Sequence, residues 1–205
     1  AYVADGAAGL RVVDVASRAN PREVGAYGQA GLARRVAVAG SIAYVADLRQ
    51  GLQAVSVSDP AHPARSGLYS PLIEARQVAV AGTYACVAAG FQGLRVVDVS
   101  DPAHPRQVGA YDAGNAYAAG VAMSGAYAYL AIGLQDPDNP IDLHVVDISD
   151  PGHPRRVAVF DSPPDWGPFR QIALVGDVIY VADEAGLGLI DAHNPAAPAP
   201  LGHLW

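Results

Sequence analysis

A seven-residue motif recurs along the chain and constrains its fold more than any other feature. Residues 9–15 read Gly-Leu-Arg-Val-Val-Asp-Val, and residues 93–99 repeat this sequence. Looser copies begin at residues 51, 142 and 186, so the 205 residues hold five copies at intervals of 42 to 49 residues. A period of this length predicts a repeat architecture in which each unit packs against its neighbours.

Each repeat unit contains four short apolar segments separated by Gly, Pro, Asp and Asn. In chain order they are an alternating run (strand a), a Tyr-Val-Ala run (strand b), the motif itself (strand c) and a strand after an Asp-Pro turn (strand d). Four short strands in about 40–45 residues is the size of a β-propeller blade. The sequence therefore predicts an all-β fold, a β-propeller of about five four-stranded blades.

The first repeat lacks its strand a, because the chain opens on the b segment Tyr2-Val3-Ala4. We therefore expect 19 strands in a single propeller domain spanning residues 1–205, with the first blade lacking its inner strand. An incomplete blade exposes backbone at the axis, which favours a fragment of a longer chain. The alternatives are a natural ring with one three-stranded blade, and a native chain with six or more blades.

The motif Leu-x-Val-Val-Asp, followed by Val-Ser-Asp-Pro-x-His-Pro in residues 99–105, resembles the LVIVD-repeat family of bacterial and archaeal β-propellers. The resemblance covers essentially the whole chain. It implies a propeller of the kind found on secreted or cell-surface proteins, without a settled shared activity. Because the family motif is structural, the resemblance carries over no catalytic residue.

Composition argues against two classes of partner. The net charge is −7 and the 13 basic residues are scattered, which disfavours nucleic acid and anionic membranes. No apolar run reaches the roughly 18 residues of a membrane span, so we expect no membrane insertion by this domain. The single cysteine, Cys86, cannot form an internal disulfide.

Polar residues that recur in every repeat are better explained by structure than by chemistry. The aspartates that end strand c are expected to accept hydrogen bonds from the turn that follows: Asp14, Asp98, Asp147 and Asp191. Three histidines each precede a proline on different blades, too far apart for one zinc ion: His62, His104 and His153. Function is therefore sought where the repeats differ.

Two long connections set the fourth and fifth repeats apart, residues 133–142 (b–c) and 161–170 (d–a). Both kinds of connection emerge on one side of an antiparallel blade, here called the loop face. We expect the partner surface there, centred on Trp166 and surrounded by Asp165, Phe169, Arg170, Arg34, Arg76 and Tyr117, because Trp and Arg dominate binding hot spots. The alternative is that Trp166 folds back as a plug over the propeller core.

Two functions remain open from the sequence. The first is a non-enzymatic binding or scaffolding propeller that recognises a protein or a glycan through the loop face. The second is a glycan-active hydrolase or lyase whose carboxylates come from Asp136, Asp142, Asp161, Asp165 and Glu74. No cofactor is expected, although the oxygen ligands of the 133–142 loop could hold Ca²⁺: Asp136, Asp138, Asn139 and Asp142.

Overall fold

The computed structural model describes residues 1–29, 31–72, 74–114, 116–133 and 142–205. These residues form β-strands and no helix, and hence offer no helical segment that could cross a membrane. The strands are β1 (Tyr2–Ala4), β2 (Leu10–Asp14), β3 (Arg22–Tyr27), β4 (Ala33–Ala39), β5 (Ile42–Asp47), β6 (Gly51–Ser56), β7 (Ala64–Tyr69), β8 (Gln77–Ala81), β9 (Tyr84–Ala88), β10 (Leu94–Asp98), β11 (Arg106–Tyr111), β12 (Tyr117–Ser124), β13 (Tyr127–Gly133), β14 (Asp142–Asp147), β15 (Arg155–Asp161), β16 (Gln171–Val175), β17 (Val178–Ala182), β18 (Leu187–Asp191) and β19 (Ala199–Leu204).

The strands form five antiparallel sheets, one for each sequence repeat. Blade 1 is the three-stranded sheet β1-β2-β3, and blades 2 to 5 are the four-stranded sheets β4–β7, β8–β11, β12–β15 and β16–β19. Within each sheet the strand order follows the chain, so every blade is a meander. The predicted β-propeller fold is confirmed, including the first blade without its inner strand.

Apolar clusters between consecutive blades form the core. One face of each sheet packs on the next blade, and the leucine that begins strand c is fully buried at Leu10, Leu52, Leu94 and Leu143. Both faces of a middle blade are covered in this way, which explains why its strands b and c are buried and apolar at most positions, as in β9 and β10. The repeat motif therefore encodes the contacts between blades.

A glycine in strand d sets how closely consecutive blades approach. A Cβ atom built on this glycine would lie 2.0–2.2 Å from a proline carbonyl oxygen in the next blade, much closer than any real contact. The contacts are Gly25 to Pro60, Gly67 to Pro102 and Gly109 to Pro151. The absence of a side chain is thus what lets the blades pack at this spacing.

The turns between strands c and d have the predicted structural role. The Asp98 carboxylate accepts a 2.9 Å hydrogen bond from the Ser100 amide, and the same bond recurs at Asp14, Asp147 and Asp191. The Nδ1 atom of His104 lies 2.8 Å from the Asp101 carboxylate three residues earlier, as in two other blades. The described residues hold no group of three His, Cys, Asp or Glu side chains that could bind a metal.

The inner strands are less uniformly buried than the sequence suggests. We expected the alternating apolar residues of strand a to be buried, namely Val36, Val38, Val78, Val80, Val121, Met123, Ile172 and Leu174. Three of them are buried, namely Val78, Val121 and Ile172. Val38 is 41% exposed, and the other four are partly buried. None of the second apolar residues of these strands is buried, namely Val38, Val80, Met123 and Leu174, whereas among the first ones only Val36 is partly exposed.

The outward faces of the first and last blades are uncovered. Val3 and Val15 of blade 1 are 45% and 46% exposed, whereas the equivalent Val45 and Val57 of blade 2 are 1% and 4% exposed. At the other end, a Cβ atom added to Gly202 of β19 would meet no atom within 4 Å, unlike its buried counterparts in blades 1 to 3.

Candidate functional site

Three aligned arginines converge where the inner strands begin on the loop face. Arg34, Arg76 and Arg170 occupy the same position of the repeat in blades 2, 3 and 5, and Ala119 occupies it in blade 4. All four line one pocket of about 160 Å³. This axial pocket is completed by Arg35, Tyr117, Gly133 and Phe169. The structure thus brings together five of the seven binding residues expected from the sequence.

Irregular backbone pairing positions two of the four aligned residues, Arg34 and Ala119. The register of β4 shifts between Ala33 and Arg35, and that of β12 shifts between Ala118 and Gly120. Arg34 is therefore an unpaired bulge residue, and bulges commonly redirect a side chain at the end of a strand. The residue before each bulge pairs with the preceding blade, Ala33 with Gly6 and Ala118 with Gly90.

A layer of hydrogen-bonded polar side chains adjoins the axial pocket along the inner strands. The Arg35 guanidinium donates to the Gln171 side-chain oxygen across the axis and to the Arg34 carbonyl oxygen at 2.8 Å. The Gln77 amide donates to the Ile172 carbonyl oxygen at 2.8 Å. Burial lowers the pKa of Arg35, and the neighbouring charge of Arg34 lowers it further. Positive charge is therefore concentrated where Arg34 and Arg35 line the axial pocket.

Arg76 of blade 3 packs against Tyr117 of blade 4. The guanidinium carbon of Arg76 lies 4.6 Å from the centre of the Tyr117 ring, a cation–π arrangement. The Tyr117 hydroxyl donates a 2.9 Å hydrogen bond to Glu74, and burial followed by this bond raises the pKa of Tyr117 to about 12. The Nε atom of Arg76 is buried and has no hydrogen-bond partner among the residues that the structure describes.

Glu74 occupies a strained position beside this pair. Its φ of 62° lies in the left-handed region, and it is the one residue other than glycine with a positive φ among those the structure describes. Strain of this kind is retained where surrounding contacts fix the backbone, and it concentrates at functional sites. The contacts here are the hydrogen bond from Tyr117 and a 3.3 Å bond from the Glu74 amide to the Leu48 carbonyl oxygen.

An exposed phenylalanine adjoins the axial pocket and was missed from the sequence. Phe91, in the b–c turn of blade 3, is 55% exposed, and its ring lies 4.9 Å from that of Tyr117 in an edge-to-face contact. The corresponding turns carry Ala7 in blade 1 and Arg49 in blade 2. A comparison of turn residues between repeats could have identified it, because a large apolar side chain at a turn tip is unusual.

Trp166 has the second of the two arrangements considered from the sequence, the plug. It is only 6% exposed and packs with Phe160, Phe169 and His203. Its six-membered ring lies over Gly188, where an added Cβ atom would approach it to 2.4 Å. Since the other blades carry Arg, Gln or His at this position of strand c, the indole fills the space that their side chains occupy.

The expectation that the partner surface centres on Trp166 therefore requires correction. A buried indole offers little area to a partner, and its contacts belong to the core of blades 4 and 5. Asp165 and Arg170 are exposed on either side of it, with Arg170 paired to Glu184. The centre of the candidate surface accordingly moves from Trp166 to the axial pocket and Phe91.

The proposed calcium ligands Asp136, Asp138 and Asn139 lie outside the described residues. The fourth, Asp142, begins β14 opposite Asp161 of β15 and is 8% exposed. Burial, followed by the negative charge of Asp161, raises the pKa of Asp142. Asp142 does not line the axial pocket, whereas Glu74, another carboxylate considered for catalysis, lies beside it through the hydrogen bond from Tyr117.

Meandering four-stranded sheets packed face to face define this protein as a β-propeller. The LVIVD-repeat model matches residues 1–28, 30–70, 74–113, 115–161 and 167–203, so the chain belongs to the LVIVD-repeat family. A comparison with curated proteins gives no match.

Two computationally designed proteins of known crystal structure are similar to this chain in fold. Ika8 superposes with a TM-score of 0.63 at 10% sequence identity, over 95% of this chain and 55% of Ika8. Ika4 superposes with a TM-score of 0.61 at 9% identity, over 82% of this chain and 96% of Ika4. The chain thus spans about half the length of Ika8. At such low identity the likeness concerns the fold alone.

Proposed function

We propose that this protein is a non-enzymatic binding β-propeller of a secreted or cell-surface protein, and that its loop face recognises a protein partner. The observation that carries the proposal is the convergence of Arg34, Arg76 and Arg170, from three different blades, on one pocket beside the exposed Phe91. Location outside the cell is supported by the family resemblance.

The chemistry of the axial pocket favours recognition over catalysis. Arginine stays protonated at all physiological pH values, so it can hold an anion but cannot exchange protons with a substrate. Arg, Tyr and Phe together are also the residues enriched at the centre of protein interfaces. A protein surface with acidic and apolar groups is therefore the partner that fits best.

The proposal can be tested by screening the purified propeller against a peptide library and a glycan array. Binding to a peptide should fall at least tenfold in Phe91→Ala and Arg76→Gln variants. Binding should be unchanged in His104→Ala, because the His104 side chain is exposed on a c–d turn, on the side of the blade opposite the loop face. A peptide that binds the wild type and the three variants equally would show that the binding surface lies elsewhere on the protein. Selective binding of a glycan would show that the partner is a sugar and not a protein.

A further inference from the structure

We propose that the axial pocket is a carboxylate site that receives one acidic side chain of the partner. The inference rests on the proposed function, because it specifies the chemistry of the same loop face. It begins from charge: four of the 13 basic residues of a chain with net charge −7 line a single pocket of about 160 Å³, and none of the described residues that line it is a carboxylate. Glu184 pairs with Arg170, which leaves Arg34, Arg35 and Arg76 without an ion pair among the described residues. Like charges this close repel one another, and an anion in the pocket would reduce that repulsion.

Arg76 presents the specific recognition edge. Its Nε atom is buried without a hydrogen-bond partner among the described residues, and its guanidinium carbon packs 4.6 Å from the centre of the Tyr117 ring. A buried donor without a partner costs stability, and a ligand oxygen would remove that cost. The edge formed by Nε and one terminal nitrogen matches the two oxygens of a carboxylate in a bidentate pair.

The size and surroundings of the pocket favour a small, singly charged group. The bonds from Arg35 to Gln171 and from Gln77 to Ile172 lie farther along the inner strands, so we expect a ligand to enter from the loop face. Phe169 and Ala119 provide apolar wall for the methylene groups of an acidic side chain. Glu74, bonded to Tyr117 beside Arg76, would repel the second negative charge of a phosphate dianion.

The test is a titration of the whole protein with small probes, followed by NMR of the arginine Nε–H groups. Acetate should shift the Arg76 signal saturably, and acetamide, its neutral isostere, should not. Arg34→Gln should weaken acetate binding about tenfold, as expected for loss of one charged contact. Arg106→Gln is the matched control, because Arg106 is paired with Asp98 on a c–d turn outside the pocket.

Each outcome decides the inference. An Arg76 signal that does not respond to acetate would overturn it, as would equal shifts with acetamide or tighter binding of inorganic phosphate than of acetate. Since the probes do not depend on the partner, the two proposals fail separately. If the Arg76 NMR signal does not respond to acetate but peptide binding is still lost in Phe91→Ala, the carboxylate site is rejected and the proposed function stands. If the Arg76 NMR signal responds to acetate but no peptide binds at the loop face, the proposed function is rejected and the carboxylate site stands.

Discussion

Single residues in this propeller are best understood by comparison with their counterparts in other blades. The second position of strand c shows this clearly, because it holds Arg11, Gln53, Arg95, His144 and Gly188 in the five blades. The hydroxyl of Tyr27 donates to Gln53 at 3.2 Å, and that of Tyr111 lies 3.0 Å from Nδ1 of His144. The same position thus makes polar contacts between blades, and in blade 5, where it is Gly188, the Trp166 ring occupies the space of the missing side chain.

The plug arrangement predicts that Trp166→Ala destabilises the fold. Removing a buried aromatic ring leaves a cavity above Gly188, and such changes typically cost about 3–5 kcal/mol. Trp205→Ala is the control, because Trp205 is 73% exposed and its loss should change stability by less than about 0.5 kcal/mol. Urea denaturation of the two variants checks the prediction, and equal, small effects would contradict the plug.

His144 predicts a loss of stability in mild acid. Burial, followed by the charge of Arg156, lowers its pKa from 6.5 to about 4, although the carboxylate of Asp161 opposes this. Between these two pH values the unfolded chain binds a proton that the folded protein does not, so stability falls as the pH drops, by up to about 3 kcal/mol.

The matched variant is His144→Gln, because glutamine can still accept a hydrogen bond from the Tyr111 hydroxyl. Gln53 accepts the equivalent hydrogen bond from Tyr27 in another blade. Melting temperature measured from pH 7 to pH 4 should fall more steeply in the wild type than in this variant. Parallel curves for the two proteins would show that His144 does not titrate as its burial requires.

At the scale of strands and turns, the repeat itself explains why prediction succeeded. Strand identity and order could be predicted because the turn aspartates and the buried leucines recur in register with the period. Positions unique to one blade were harder. Phe91 has no counterpart that suggests a role, and the burial of Trp166 depends on Gly188, which is distant in sequence and has no side chain to indicate a contact.

The candidate site could be predicted in part for the same reason. Arg34, Arg76 and Arg170 align in the repeat, so their convergence at the axis follows from the symmetry of the blades. The Nε of Arg76, without a partner among the described residues, and the strained Glu74 could not be foreseen. They arise from contacts of single side chains such as Tyr117, which differ from blade to blade and are not part of the repeated motif.

Strand d offers a matched pair of substitutions that tests the spacing of the blades. Gly109→Ala places a Cβ atom against the carbonyl oxygen of Pro151, so we expect a loss of at least about 2 kcal/mol from overpacking. Gly202→Ala, at the same position of blade 5, meets no atom within 4 Å and should be neutral or slightly stabilising. Equal costs measured by thermal denaturation would contradict the described packing.

For the whole molecule, the face-to-face stacking of blades predicts a contrast between equivalent valines. Val45→Asp buries a charge between blades 1 and 2, and it should cost more than about 4 kcal/mol or prevent folding. Val3→Asp, at the same position of blade 1, should change stability by less than about 0.5 kcal/mol, because Val3 is 45% exposed. Chemical denaturation of the 205-residue chain checks both values.

The central claim is that the loop face, around the axial pocket, is the surface that binds the partner. The direct measurement is hydrogen–deuterium exchange with and without a peptide selected from the library screen. Binding should slow exchange in residues 74–76 and 89–93 of blade 3 and in residues 116–118 of blade 4, which include Arg76 and Tyr117 of the pocket and the adjoining Phe91. Protection confined to the a–b turns at Gly40, Gly82, Gly125 and Gly176, on the opposite side of the blades, would contradict the account.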